Sequence, residues 1–492
     1  MTNSGRPGPS GPGSPAGPGG PALSLTAEWT AATISGAVVD GDRARAFTGV
    51  SIDTRTLKAG ELYVAIRGER FDGADFAEAA AVAGAAGVVV PRGRGAILSR
   101  SARPPAERGP VVIEVDDTTV ALQALGHGVR IESGTQVVAI TGSAGKTTTK
   151  EVTAEFLGAR YRVVRNRGNF NNHIGLPLSL IELTERPAIA VVELGMSHAG
   201  EISALVRMAE PDVRVWTNVG EAHLGFFSSV EAIADAKAEI LEGATPATVL
   251  VANADDDRVT ARVSRFAGRI VTFGIDRHAD VRATAVVDRG IDGTTARVAT
   301  PRGELEITTP LVGRANLANV LAAIAVALEF DVPLGAIAER AGELTPASRR
   351  GEVVHLARGV TVVDDSYNAN PTATRRALDV IGIGGARRRV AVLGEMLELG
   401  DRSVALHEEV GRAVARAGVD RLITVGGTAA AALAEAAVAA GMRRTDVRHF
   451  GTSEEAADAA ATLVADGDLV LVKGSHGVRT DCVVDRLKAA LG

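Results

Sequence analysis

Cysteine is almost missing from this chain: Cys482 is the single one in 492 residues. One thiol excludes an intrachain disulfide and any metal site built from cysteines, and it fits a reducing compartment. Surplus positive charge is missing too. With 53 Lys and Arg against 59 Asp and Glu, the net charge is -6, which argues against a chain whose main task is to hold nucleic acid or an anionic membrane. A local basic patch for a small anionic ligand stays open. No apolar run approaches the ~18 residues that a membrane span needs, and the opening residues lack the apolar core of a secretion signal. The expectation is a cytoplasmic protein with no membrane span and no nucleic-acid partner. What is present is ordinary for a soluble globular chain, 46% hydrophobic and 23% charged. Its length suits roughly two to four domains with sizeable cores.

Residues 1–24 are mostly Gly, Pro and Ser and predict a disordered tail outside the chemistry. Residues 25–114 read as a small α/β unit: "GELYVAI", "GVVV" and "VVIEV" as strands, "DFAEAAAVAGAA" as a helix, and a basic, breaker-rich surface loop at 92–110. "DDTTVALQALGHGVRI" starts a helix behind acidic caps. From Gln136 strands and helices alternate, and "VVAI", "AIAVVEL", "VRVWTNVG" and "ATVLVAN" are largely apolar runs. Such runs are expected of parallel strands covered on both faces. Short β-branched strands over 268–312 predict an antiparallel extension. From residue 347, "GVTVVDD", "RVAVLGE", "RLITVG" and "DLVLVKG" alternate with helices in the manner of a dinucleotide-fold sheet. The expected fold is therefore α/β in three domains, 25–114, 115–346 and 347–492.

Open parallel sheets collect ligands at the carboxyl ends of their strands. The stretch "AITGSAGKTTTK" follows such a strand and contains Gly142, Ser143, Ala144, Gly145, Lys146, Thr147 and Thr148. The common phosphate loop puts four residues between its first glycine and its Gly-Lys pair; here only Ser143 and Ala144 intervene. Backbone N–H groups from Gly142 to Thr147 are placed to wrap a phosphate at a helix N-terminus. Lys146 would neutralise the β/γ-phosphates and the Thr147 hydroxyl would ligate Mg²⁺. A plain glycine turn competes with this reading, but the order strand, loop, helix favours phosphate. Glu193 ends the next strong strand and is either a metal-holding carboxylate or a solvated acid. His223, in "TNVGEAHLGFF", reads more readily as structural than as a ligand. Lys237, in "SVEAIADAKAEI", reads as a solvated lysine with acidic neighbours. "VVDDSYNANP" is either a plain turn or a polar cluster (Asp364, Asp365, Asn368, Asn370) facing a ligand. Arg349 and Arg350, at the domain boundary, are candidates to reach a phosphate from the far side.

Together these pieces resemble the Mur ligase family throughout the chain, leaving aside the tail. The family's shortened phosphate loop, Gly-x-x-Gly-Lys-Thr, accounts for the spacing in "TGSAGKTTTKE". In order along the chain, "SIDTRTLKAGELYVAIRGERFDGADF", "RNRGNFNNHIGLPLSL", "ELGMSHAGEI", "GRANLANVLAA", "VVDDSYNANPTA", "GEMLELG" and "LVKGS" are similar to the branch that adds D-alanyl-D-alanine to a UDP-N-acetylmuramoyl-tripeptide. The resemblance implies an ATP-dependent carboxylate–amine ligase, using Mg²⁺, with a UDP-binding first domain, a central phosphate-loop ATPase domain and a Rossmann-like third domain. A monomer is expected. It assigns phosphate and metal roles to Lys146 and Thr147, and metal roles to Glu193, His223 and Lys237, the last matching a lysine carbamylated by CO₂ in relatives. Asn316 and Asp365 match adenine and ribose contacts, and Arg350 the domain-bridging arginine. Ser51, Asp53, Thr54, Arg55, Asn171, Asn172, Asn368, Asn370 and Lys473 fall on substrate-binding stretches.

Three departures from the family pattern stand out. Ser348 replaces an arginine expected two positions before Arg350, which leaves Arg349 and Arg350 as alternatives. Glu395 stands where aspartate is usual, and His476 where arginine is frequent. Two other functions are carried forward: a sibling ligase adding a different amino acid, against which "NFNNHIGLP" argues, and a nucleotide-driven binding module that ligates nothing.

Overall fold

The computed structural model describes residues 20–95, 109–383 and 386–492. Nearly all of the expected tail and most of the expected 92–110 loop lie outside the described residues. Contacts divide the chain into two compact units, Met1–Val137 with Arg160–Val192, and Val138–Ala159 with Glu193–Gly492.

In the first unit, β1 (Leu25–Thr26) pairs antiparallel with β3 (Ala46–Phe47). A five-stranded sheet runs β2 (Ala37–Asp40), β7 (Val111–Val115), β6 (Gly87–Pro91), β5 (Leu62–Val64), β4 (Val50–Ser51), parallel except for β2 at its edge. Tyr63, Val88, Val90 and Val112 of this sheet pack on Ala74, Ala77 and Ala80. The expected helix over "DFAEAAAVAGAA" is shorter than its apolar run. It opens as a 3₁₀ turn, Gly73–Phe76, continues as Ala77–Val82, and ends before Gly84, whose φ of +96° a longer helix would not adopt. The acidic cap expected for the next helix is present: Asp117 accepts N–H bonds from Thr119 and Val120 at the start of Thr118–Ser133. Farther on, β9 (Val163–Arg165) pairs parallel with β10 (Ile189–Glu193).

The second unit carries two sheets. In the larger one, β8 (Gln136–Thr141), β11 (Val213–Trp216), β12 (Val249–Asn253), β13 (Arg269–Gly274) and β14 (Val281–Asp288) are parallel neighbours. The antiparallel extension follows as expected, β14 to β15 (Thr294–Thr300) to β16 (Gly303–Thr309). Burial explains the two sequence patterns: every residue of β11 and β12 is buried, whereas β16 alternates buried and exposed positions. The helix Gly313–Glu329 is apolar nearly all round because it is buried nearly all round.

The other sheet of this unit lies in the order β17 (Glu352–His355), β18 (Thr361–Asp365), β22 (Asp468–Lys473), β19 (Arg388–Gly394), β20 (Arg421–Val425), β21 (Val447–Phe450). Only edge strand β17 is antiparallel. Its core joins Val362, Val390, Ile423 and Val470 to Val483, Val484 and Leu487 of the last helix. The parallel strands of both sheets end in loops that carry the polar residues singled out in the sequence.

Candidate active site

The loop after β8 is a rigid cradle. Its helix, Lys146–Gly158, starts behind Gly145 at φ +83°. A side-chain carbon on Gly145 would overlap Asn319 Oδ1, and one on Gly142 would overlap Thr217 Oγ1. Both glycines are therefore required by close approach, as a backbone that wraps phosphate demands. The segment after β11 grips the loop from behind. Asn218 accepts from Ala144 N–H at 2.9 Å through Oδ1 and donates Nδ2 to Ala144 O at 2.9 Å. Thr217 Oγ1 donates to Ala144 O at 2.8 Å, and Ser143 Oγ accepts from Gly220 N–H at 2.9 Å. Lys146 Nζ folds back onto Gly142 O at 2.8 Å. Next to Gly145, Thr149 Oγ1 donates to Asn319 Oδ1 at 3.3 Å, and Asn319 Nδ2 donates to Asn316 Oδ1 at 3.2 Å. Asn316 is thus tied to the loop's own helix.

Four charged groups gather around this cradle. Desolvation lowers the Lys146 pKa; the negative charge of Glu193 works against that and the positive charge of Arg350 adds to it. Lys237 is 1% exposed. Burial first, and the neighbouring Lys146 charge second, hold its amine well below the ordinary lysine range. The solvated lysine suggested by its acidic neighbours is thus a buried one. Glu193, 2% exposed, has Lys150 Nζ at 3.4 Å, and Lys150 also reaches Glu151 at 3.1 Å. Lys150 carries no signal beyond an ordinary helix lysine in sequence, yet it is 1% exposed.

His223 sits in a left-handed backbone conformation, φ 63°, and its Nδ1 donates to Glu398 Oε2 at 2.7 Å. That bond holds the Glu398 carboxyl below its usual range, against partial burial. Two residues before His223, Glu221 Oε2 accepts from Thr372 Oγ1 and from Arg375 Nη2, both at 2.7 Å.

The two neighbouring arginines part company. Arg349, at φ 61°, pairs with Asp481 at 2.9 Å in the last helix. Arg350 stacks on the Tyr367 ring at 3.9 Å, and its charge is felt at Lys146. Lys473, 3% exposed, binds Asp365 Oδ2 at 2.7 Å and Asn368 O at 2.9 Å. Asn370 caps the helix Pro371–Gly382 by accepting from Ala373 N–H at 2.8 Å, so the turn reading accounts for it. Asp364 is buried, binds Ser366, and has its pKa raised by desolvation.

In the first unit, Ser51 Oγ accepts from Asp53 N–H at 3.2 Å. Asp53 is clamped by Arg55 at 2.6 Å, which brings its pKa down to about 2. Thr54 lies between them, half-exposed. Asn172, beside Asn171, accepts through Oδ1 from Ile174 N–H at 3.2 Å and Gly175 N–H at 2.8 Å, just ahead of the helix Gly175–Ile181.

The donor set fits Mg²⁺ with one condition. Magnesium favours oxygen ligands; Thr147 and Glu193 offer them, His223 adds a neutral imidazole nitrogen, and an unmodified Lys237 ammonium offers no lone pair at all. Among the described residues no cluster of three or more His, Cys, Asp or Glu stands ready for a metal. A carbamate on Lys237 would convert the misfit amine into an oxygen ligand.

Residues 46–130 match the Mur ligase family catalytic domain, 140–327 the Mur ligase middle domain, and 349–476 the Mur ligase glutamate ligase domain. The chain is 36% identical over 441 residues to the UDP-N-acetylmuramoyl-tripeptide–D-alanyl-D-alanine ligase of Bacillus subtilis (strain 168), covering 89% of this chain and 93% of that one. It superposes on the crystal structure of MurF from Acinetobacter baumannii with a TM-score of 0.84 at 30% identity, covering 95% of this chain and 100% of that one. MurF ligase from Thermotoga maritima in complex with ADP gives a TM-score of 0.76 at 28% identity, over 90% and 97%.

Proposed function

This chain belongs to the Mur ligase family, and on that premise we propose how its residues carry out ligation. It is an ATP-dependent acid–D-amino-acid ligase that joins D-alanyl-D-alanine to UDP-N-acetylmuramoyl-tripeptide, giving the pentapeptide precursor of peptidoglycan. One observation carries the residue assignment: the charges of Glu193 and Arg350 act on Lys146, and that of Lys146 on Lys237, beside a loop in which neither Gly142 nor Gly145 has room for a side chain.

A carboxylate is a poor electrophile and amide formation in water is uphill, so the carboxylate must first be activated. The C-terminal carboxylate of the tripeptide attacks the γ-phosphorus of ATP in line. The bond to the bridging oxygen breaks, ADP leaves, and an acyl phosphate forms. The amine of D-alanyl-D-alanine then adds to the acyl carbon, loses a proton, and expels inorganic phosphate. Positioning and charge neutralisation supply most of the help such a transfer needs. The N–H groups of Gly142 to Thr148 and the Lys146 ammonium hold the phosphates; Asn316 and Asp365 hold adenine and ribose. Arg350, braced on Tyr367, approaches the phosphates from the C-terminal domain. Thr147, Glu193, His223 and a carbamylated Lys237 would hold Mg²⁺, which screens the charge of the transferring phosphoryl group when bound. The lowered Lys237 pKa supports carbamylation: a neutral amine attacks CO₂, forms an N–C bond, and releases a proton.

The UDP part of the substrate falls to the 25–114 domain with Ser51, Asp53, Thr54 and Arg55, and the peptide to Asn171 and Asn172. Asn368, Asn370 and Lys473 serve the dipeptide side, Asn370 by setting the helix start beneath it. The enzyme works as a monomer in the cytoplasm; no described helix is long and apolar enough to cross a membrane.

Phosphate release with each substrate omitted in turn tests the reading. Turnover is expected only when tripeptide, dipeptide and ATP are all present. A binding module driven by ATP would release phosphate whether or not the dipeptide is there, and that result would sink the ligase assignment.

A further inference from the structure

The contact between His223 and Glu398 joins residues that are 175 positions apart in sequence. Both hold a left-handed backbone, φ 63° in each. Non-glycine residues stay there only where their surroundings impose it, and such residues gather at functional sites. Here the imposing surroundings are visible. Gly225 N–H donates to Glu398 O at 2.7 Å. A side-chain carbon at Gly225 would come within 3.2 Å of Glu398 O and Gly400 N, and one at Gly400 within 3.0 Å of Gly225 Cα. The loop after β11 and the loop after β19 are therefore pressed backbone to backbone. The contact presents one carboxylate to one imidazole nitrogen.

We propose that Glu398 is a positioning residue for metal binding: it fixes His223 as the Nδ1–H tautomer, leaving the Nε2 lone pair for the cation. A carboxylate only accepts, so the 2.7 Å bond requires the proton on Nδ1. In neutral imidazole the other nitrogen is then a free donor of electrons. Carboxylates that orient ligating histidines in this way tune metal affinity about 10- to 100-fold. The inference rests on His223 being a metal ligand, and it adds that the C-terminal domain completes the ligand. Because the carboxylate and the imidazole come from different domains, metal binding and the docking of these two loops favour one another reciprocally.

The full-length protein saturated with ADP is titrated with Mn²⁺, alongside Glu398→Gln, Glu398→Ala and His223→Ala. ¹⁵N shifts of the metal-free histidines, read in mildly alkaline buffer, report the tautomer. Expected are a pure Nδ1–H tautomer for His223 in the parent, a mixed one in the Glu398 variants, and Mn²⁺ affinity weakened about tenfold or more in Glu398→Ala. Glu398→Gln keeps the side-chain shape, so its mixed tautomer separates positioning from loss of fold. An Nε2–H tautomer in the parent overturns the proposal. So does Glu398→Ala affinity within about twofold of the parent while His223→Ala is clearly weaker. If His223→Ala also binds Mn²⁺ as the parent does, the metal-ligand reading of His223 falls with it.

Discussion

Lys237 is a residue at which stability and activity pull apart. A lysine whose folded pKa lies below its unfolded value binds fewer protons when folded, so stability rises with pH as the unfolded amine deprotonates. At neutral pH the folded chain carries that penalty. Lys237→Met is accordingly expected to unfold at higher denaturant than the parent in bicarbonate-free buffer, and to lose ligation entirely. Denaturant melts paired with the phosphate-release assay check both halves; a less stable variant would contradict the burial argument. Sequence foretold this residue scale unevenly. The turn that sets Lys146 and Thr147 at a helix start was legible, because an apolar strand followed by two glycines and a helix-forming run predicts that geometry. The burial of Lys237 was not, since its helix reads "EAIADAKAE" and its acidic neighbours suggest a wet face. Nor were Thr217 and Asn218 legible as supports of the loop: they act on Ala144 across 73 and 74 positions, and threonine or asparagine after a strand is also what any turn contains.

At the level of elements, apolar runs announced nearly every buried strand, and the switch to alternation announced the antiparallel edge. The hidden part was how one element pins another. His407 in the helix Ser403–Arg416 is fully buried. Its Nδ1 donates to Ser403 O at 2.7 Å and its Nε2 accepts from Met396 N–H at 2.9 Å, so a neutral ring holds the loop that leads to Glu398. Burial lowers its pKa from the ordinary 6.5. With the folded value depressed, the unfolded chain takes up the proton first, and stability falls as pH drops from 6.5 toward the folded value, then levels off. Equilibrium unfolding across that window is expected to show the decline in the parent and a shallower one in His407→Gln. Equal slopes would remove His407 from the account. The sequence offered only "LHEEV" here, a pattern in which a histidine beside two glutamates suggests solvent.

For the molecule as a whole, the three α/β domains were legible from the alternation of strands and helices, but strand order was not. Pattern reading says that β18, β19 and β22 are parallel and buried; it does not say that the last of them lies between the first two. The pairs Asp365↔Lys473 and Val392↔Val472 exist only after chain segments from both ends of the domain have met. A chain ended after Asp466 removes β22 and the last helix, leaving β18 and β19 each without a neighbour on one side. Limited proteolysis is expected to degrade residues beyond 350 rapidly in that truncation while the region 138–330 survives longer; a protease-resistant C-terminal fragment would show that the sheet closes without its central strand.

That same arrangement sets a schedule for the cell. Chains emerge from the ribosome at roughly 5–20 residues per second, and 108 residues separate Asp365 of β18 from Lys473 of β22. For about 5 to 20 s of each round of synthesis, the β18 edge that will receive β22 is on the ribosome without that partner, and the β19 edge waits for a shorter part of that interval. Every newly made copy passes through an interval in which open strand edges are presented to neighbouring nascent chains. Demand on chaperones should therefore track translation speed over the last quarter of the message.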